Sequence, residues 1–275
     1  MNKFDKLSVK RIWCEFNFFK YQAMLKPPQV FSVLGIPVHV MSNYPGWLLE
    51  CQEQGRGIHV VTLNAEMTMQ AQHNPTLAQV IQKADLVIPD GAGIVLYLQW
   101  FFWQKVQRCP GIELAETLLQ ELGHQHKDTK LFFYGGAPEV ITKAAEFWHR
   151  QIPSLNIVGT HCGYHTPEEE EKLKQTLAQL QPEIIFVGLG VPRQELWISE
   201  NSHLCPQAIW IGVGGSFDIW SGIKNRAPSW LGNNNLEWLY RLYKEPWRWR
   251  RMLALPEFVV KACLENFVRG KTQAL

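Results

Sequence analysis

The amino-acid sequence predicts an α/β fold: a Rossmann-like doubly wound, mostly parallel sheet with a helical C-terminal appendage. Three observations carry this. The runs "IHVVTLN", "DLVIPD", "KLFFYGG", "EIIFVGLG" and "AIWIGVGG" are apolar almost throughout instead of alternating, as strands covered on both faces are. Patterns of helical period lie between them, which is the βα alternation of a parallel sheet. After Gly222 the texture changes to Trp, Arg and Pro with no further strand pattern.

Taken in order, residues 1–30 read as an N-terminal extension whose charged residues interrupt any secretory apolar core. "SVLGIPVHVM" opens the α/β domain, assigned to residues 31–222, as its first candidate strand. "IHVVTLN" and "DLVIPD" follow. The apolar run Ile94 to Trp103 is about half the roughly 20 residues a membrane span needs, and contains Gln99. "KLFFYGG" leads into the helix "APEVITKAAEFWHRQ", and "NIVGTHCG" into "TPEEEEKLKQTLAQLQ". There Thr166 is the N-cap, Pro167 the first helical residue, and Leu173, Leu177 and Leu180 the apolar stripe. "EIIFVGLG" and "AIWIGVGG" complete the sheet. Residues 223–275 form the appendage, with Pro246 and Pro256 placed near helix starts.

With 275 residues, 46% hydrophobic and 19% charged, the chain can bury a sizeable core, which argues against disorder. Six scattered cysteines without a CxxC pair suggest neither a disulfide framework nor a cysteine zinc site, and fit a reducing cytosol. From Arg226 onward nine Lys/Arg face four Asp/Glu, so the positive charge is concentrated in the appendage.

Ligands of such sheets bind outside the carboxyl ends of the strands. Of five aspartates, only Asp90 and Asp218 fall at that rim. Two roles fit Asp90: opening the next helix as a cap, or accepting a proton from an attacking hydroxyl. The glycine turns "YGG" (Tyr134, Gly135, Gly136), "GLG" (ending at Gly190) and "GVGG" (ending at Gly214 and Gly215) serve either as tight turns or as backbone approaches for a diphosphate. None continues as GxGxxG, which disfavours a dinucleotide site. No Asp-x-Asp occurs to hold a metal–diphosphate, so arginine is the alternative carrier of that charge. "HCGYH" (His161, His165) and "HQH" (His124, His126) read as polar turns before metal pairs. The Arg/Trp-rich tail fits a solvated face, a nucleic-acid surface or a membrane-interface element. The last is favoured by Trp and Arg together, and no nucleic-acid motif supports the second.

The blocks "TLNAEM", "ADLVIPDGAGIV", "RCPGIEL", "FFYGGAPEV", "VGLGVPRQELWI", "GVGGSFDIWSG", "RAPSW" and "LEWLYRLYKEPWRWRR", from Ser32 to Arg251, resemble the WecG/TagA/CpsF glycosyltransferases. The resemblance implies inverting, metal-independent transfer of an N-acetylmannosamine-type sugar from a UDP donor to a polyprenyl-diphosphate-linked amino sugar, for a cell-surface polymer. It implies Asp90 as general base with Thr62, Asn64 and Gln194 in the site, and Arg108 on a phosphate or the acceptor. Tyr134, Gly135, Gly136, Gly190, Gly214, Gly215 and Asp218 would form the donor pocket. The appendage would close over the site at the inner face of the plasma membrane, with Arg241, Arg248, Arg251 and Arg226 meeting the leaving diphosphate. No cofactor, metal or nucleic acid is implied, and self-association into a homo-oligomer away from the membrane is. Glu113 stands where an aspartate is expected. Two other readings stay open: a nucleotide-sugar oxidoreductase or epimerase, which would hold NAD(H), and a non-catalytic nucleic-acid or lipid-binding module.

Overall fold

Apolar runs with no polar face are stable strands only where both faces are covered, and the chain folds to cover them. The computed structural model describes residues 27–125, 128–228, 231 and 237–272, apart from the side chains of 237, 241, 248 and 268–272. Most of the extension assigned to residues 1–30 thus lies outside the described residues, as does His126.

The first expected strand is instead a hairpin. β1 (Gln29–Val33) pairs antiparallel with β2 (Ile36–Val40). Leu34 and Gly35 between them both have positive φ, 50° and 79°, the backbone of a two-residue hairpin turn. The LG pair in the middle of "SVLGIPVHVM" is what splits it. The chain then alternates through α1 (Tyr44–Glu53), β3 (Ile58–Leu63), α2 (Ala65–His73), α3 (Pro75–Lys83), β4 (Leu86–Pro89), α4 (Ala92–Phe102) and α5 (Gly111–His124). It continues as β5 (Lys130–Gly135), α6 (Pro138–Gln151), β6 (Asn156–His161), α7 (Pro167–Leu180), β7 (Ile184–Gly188), α8 (Arg193–Asn201), β8 (Ile209–Gly212) and α9 (Ser216–Trp220). Thr166 and Glu169 form a reciprocal capping box at the start of α7, as its sequence predicts.

The six-stranded sheet has the order β4-β3-β8-β7-β5-β6 and is parallel at every pairing. Alternate residues feed two faces. Ile58, Val60, Phe133, Phe186 and Ile211 pack with α1, α5, α6 and α9. Val61 and Leu63 pack with the hairpin, α2, α3 and α4, and Phe132, Tyr134 and Trp210 with α7 and α8. The edge strand β4 is fully buried because β2 lies beside it, and the His39 Nδ1 accepts the Val87 N–H at 2.9 Å. Burial lowers the His39 pKa, which keeps the ring neutral and able to accept.

The chain leaves β5 toward the β6 edge and leaves β7 the other way, toward β8, so strand order reverses between β5 and β7. Ligands of open α/β sheets bind at such reversals. Beyond the sheet follow α10 (Glu237–Lys244), a 3₁₀ turn at Pro246–Arg248, α11 (Trp249–Met252) and α12 (Ala254–Thr272). Phe258 and Ala262 of α12 are buried in the same cluster as α2 and α4, so the last helix docks on the sheet domain.

Candidate active site

An open cleft of about 950 Å³ runs along the carboxyl ends of the strands. Thr62, Asn64, Asp90 and Gln194, named together from sequence, all line it.

Asp90 follows the last residue of β4, its N–H bonded to the Leu63 and Ile88 carbonyls at 3.0 Å. It does not cap the helix after its own strand, since Gly91 holds that position without a side-chain bond. Its Oδ1 accepts the Gly111 N–H, at the first residue of α5, at 3.2 Å. The carboxylate is therefore held at the cleft by a neighbouring helix start, a favourable place for negative charge. Gly111 permits this approach: a Cβ there would lie 2.8 Å from Thr62 Cγ2. Thr62 is buried, and its hydroxyl donates to the Gly212 carbonyl at 3.1 Å, tying the ends of β3 and β8 together. Asn64 is the N-cap of α2, accepting the Met67 N–H at 2.9 Å. Burial, with the Asp90 and Glu113 carboxylates close by, pushes the neighbouring Cys109 thiol up to about 12. That thiol stays neutral at physiological pH and is a poor nucleophile.

On the other side of the sheet, Gly136, Gly188, Gly190, Gly214 and Gly215 form the cleft wall. Gly135 does not reach it; a Cβ there would meet the Gly188 carbonyl oxygen at 2.3 Å, so it lets β5 and β7 close up. Tyr134 does not line the cleft either. Strand alternation turns its ring to the face under α8, where it has no exposed surface, packs 4.6 Å from Trp197 and hydrogen-bonds His165 at 2.7 Å. The His161 and His165 rings contact one another there. Among the described residues no three His, Cys, Asp or Glu side chains converge as a metal-ligand group.

Charge collects where the appendage meets the rim. Arg251 bonds Glu66 at 2.7 Å, and Arg226 bonds Glu113 and lies 3.6 Å from Glu116. Glu113, unassigned from sequence, is thus the partner of a cleft arginine. Lys224 bridges Asp218 (2.9 Å) and Glu245 (3.0 Å). Burial alone would lower the Lys224 ammonium, but these hydrogen bonds outweigh it and raise its pKa. Arg108, half-buried, is not part of the cleft wall, although Cys109 beside it is fixed to the Pro89 carbonyl at 2.9 Å. Arg241 and Arg248 carry side chains outside the described residues.

Sequence reasoning missed Lys224, Glu66 and Arg193. Arg193 also lines the cleft and donates to the Gly163 carbonyl at 2.8 Å. Arg193 sits in the same "VPRQE" block as Gln194 and Glu66 in the same "TLNAEM" block as Asn64, which is the local signal for those two; Lys224 falls between "GVGGSFDIWSG" and "RAPSW" and has no such signal.

Comparison with known proteins follows the same lines. Residues 31–272 match the model of the Glycosyl transferase WecG/TagA/CpsF family. A protein of Bacillus spizizenii named N-acetylglucosaminyldiphosphoundecaprenol N-acetyl-beta-D-mannosaminyltransferase is 38% identical over 207 residues, covering 75% of this chain and 79% of its own. A protein of the same name from Bacillus subtilis is 33% identical over 214 residues, covering 78% and 82%.

Proposed function

Because the chain belongs to the WecG/TagA/CpsF glycosyltransferase family, we propose that it transfers an N-acetylmannosamine-type sugar from a UDP donor to N-acetylglucosamine held on a polyprenyl diphosphate. The relatives' names support the transferred sugar and the acceptor. The observation that carries the reading is Asp90 lining the same cleft as the glycine ends of β7 and β8 and the cations Lys224, Arg226 and Arg251. One side suits a hydroxyl to be deprotonated, the other a diphosphate.

The transfer is a single inverting displacement. The acceptor hydroxyl oxygen attacks the anomeric carbon of the donor as Asp90 takes its proton. The bond from that carbon to the diphosphate oxygen breaks, and its electron pair leaves with UDP. Lys224, Arg226 and Arg251, joined by Arg241 and Arg248, neutralise the growing charge of the leaving group without a metal. The carboxylates now paired with these cations give them up to the diphosphate. Gly214, Gly215 and Asp218 serve the nucleoside side, and Arg108 the acceptor.

Residues 223–275 act as the closing element and meet the membrane. Tyr243 and Trp247 are largely exposed, at 77% and 72%, next to the arginines, which suits a headgroup layer. Among the described residues no helix is long and apolar enough to cross a membrane. The lipid-linked acceptor in the relatives' names supports action at a membrane surface, and we place the protein there as a peripheral enzyme at the cytoplasmic face of the plasma membrane.

The test is UDP release from a panel of UDP-sugars in EDTA, with a short-chain lipid-diphosphate-N-acetylglucosamine acceptor. Acceptor-dependent release from UDP-N-acetylmannosamine is expected, with inverted anomeric configuration in the product. Retention of configuration, or release only after divalent metal is restored, would refute this mechanism.

A further inference from the structure

Glu195, in the first turn of α8, has no exposed surface, yet both of its carboxylate oxygens are engaged. The Gln194 side-chain NH₂ donates to Oε1 at 2.8 Å, and the His59 Nε2 lies 2.9 Å from Oε2. Gln194 in turn accepts the Gly214 N–H on its own Oε1, at 3.1 Å. The chain of contacts therefore runs from His59 on β3 through two adjacent α8 residues to the glycine turn after β8. β8 is pressed close against it: a Cβ at Gly212 would lie 2.5 Å from Gln194 Nε2 and 2.6 Å from Glu195 Oε1.

A glutamine amide has a donor end and an acceptor end, and nothing in its shape distinguishes them. The surroundings must do so. Here a carboxylate, which accepts only, faces the NH₂, and a backbone N–H, which donates only, faces the carbonyl. Reversed, the amide would set donor against donor and acceptor against acceptor, losing both bonds at a buried position.

We propose that Glu195, backed by His59, is a positioning residue that fixes the Gln194 amide and, through it, the Gly214 turn in the cleft wall. Glu195 does not itself line the cleft. Its effect passes through Gln194 and Gly214, which do. The kinetic consequence rests on the transferase reading above; the geometric one does not.

Two measurements on the full chain separate these. In the sugar-transfer assay, Glu195→Ala lowers kcat/KM for the donor by roughly 10- to 100-fold, with a rise in donor KM as part of the loss because the Gly214 turn belongs to the donor pocket. Glu195→Gln restores turnover to within about threefold of wild type, because its amide oxygen accepts from Gln194 and its NH₂ donates to His59. Adding Glu195→Ala to Gln194→Ala costs no more than about twofold further, since the two act as one unit. Effects that multiply, or a Glu195→Gln variant as impaired as Glu195→Ala, would overturn the proposal. The second measurement is hydrogen exchange at the Gly214 amide, which needs no activity and stays decisive if wild type fails to turn over. It accelerates at least about tenfold in Glu195→Ala and not in Glu195→Gln; unchanged exchange in Glu195→Ala overturns the assignment. Should Glu195→Ala not fold, Glu195→Asp replaces it, since one methylene less prevents contact with both partners. Wild-type exchange at Gly214 in that variant overturns the proposal equally.

Discussion

Arg251 of α11 and Glu66 of α2 are joined at 2.7 Å, a contact that ties the C-terminal appendage to the helix capped by Asn64 in the cleft. The contact fastens the appendage, and the function proposed above gives Arg251 a second role, at the leaving diphosphate. Arg251→Ala, which removes both, is expected to lower kcat/KM by about 10²-fold. Glu66→Gln removes only the fastening and is expected to cost less than about tenfold. Steady-state kinetics of the two variants side by side checks this; equal losses would mean that the arginine acts only as a fastener.

Gly135 and Gly190 both have positive φ, 135° and 74°, but only the first is walled in. Gly135→Ala would drive a Cβ to 2.3 Å from the Gly188 carbonyl oxygen and part β5 from β7, so soluble expression and turnover should both collapse. Gly190→Ala meets nothing within 4 Å and should cost only about 1–2 kcal/mol in backbone strain. Soluble yield of the two variants, with urea unfolding of Gly190→Ala against wild type, measures the difference.

Phe133, without exposed surface, stands among Phe186, Phe217 and Trp220 with ring centroids 5.6–6.0 Å away. Phe133→Ala leaves a void in that cluster and is expected to destabilise the fold by about 3–5 kcal/mol, read as a lower urea midpoint with m unchanged.

The Cys109 thiol is pushed up from its ordinary 9.0 to about 12 by burial and two carboxylates. An acid whose pKa is raised on folding holds its proton longer folded than unfolded. Its contribution is complete below about pH 9 and is lost as pH rises toward 12. Wild type should therefore lose stability in that window, and Cys109→Ala should lose less of it. The same thiol should resist alkylation at pH 8 in the native state, and Cys109→Ser should keep its turnover.

Much of this is legible in the sequence because the signals are local. Five apolar runs without a polar face specify a covered parallel sheet, and Asp90 at the end of one of them specifies the rim. The hairpin was not legible: "SVLGIPVHVM" reads as one strand until Leu34 and Gly35 adopt positive φ. The "YGG" block marks a turn, but only strand alternation in the folded sheet shows that the Tyr134 ring lies on the far face, against Trp197. The Glu195–His59 contact joins residues 136 apart in the chain, so only the folded β3 and α8 bring it into view. Glu113 acquires a role only once Arg226 is beside it.

The most direct measurement is acceptor-dependent UDP release by wild type and Asp90→Asn, in EDTA, with UDP-N-acetylmannosamine as donor. Asn keeps the size and can still accept the Gly111 N–H, so the variant should fold with an unchanged urea midpoint. Turnover should drop by about 10²–10⁴-fold, the usual cost of losing a positioned base. Full turnover in a folded Asp90→Asn protein would contradict the assignment of Asp90 as the base.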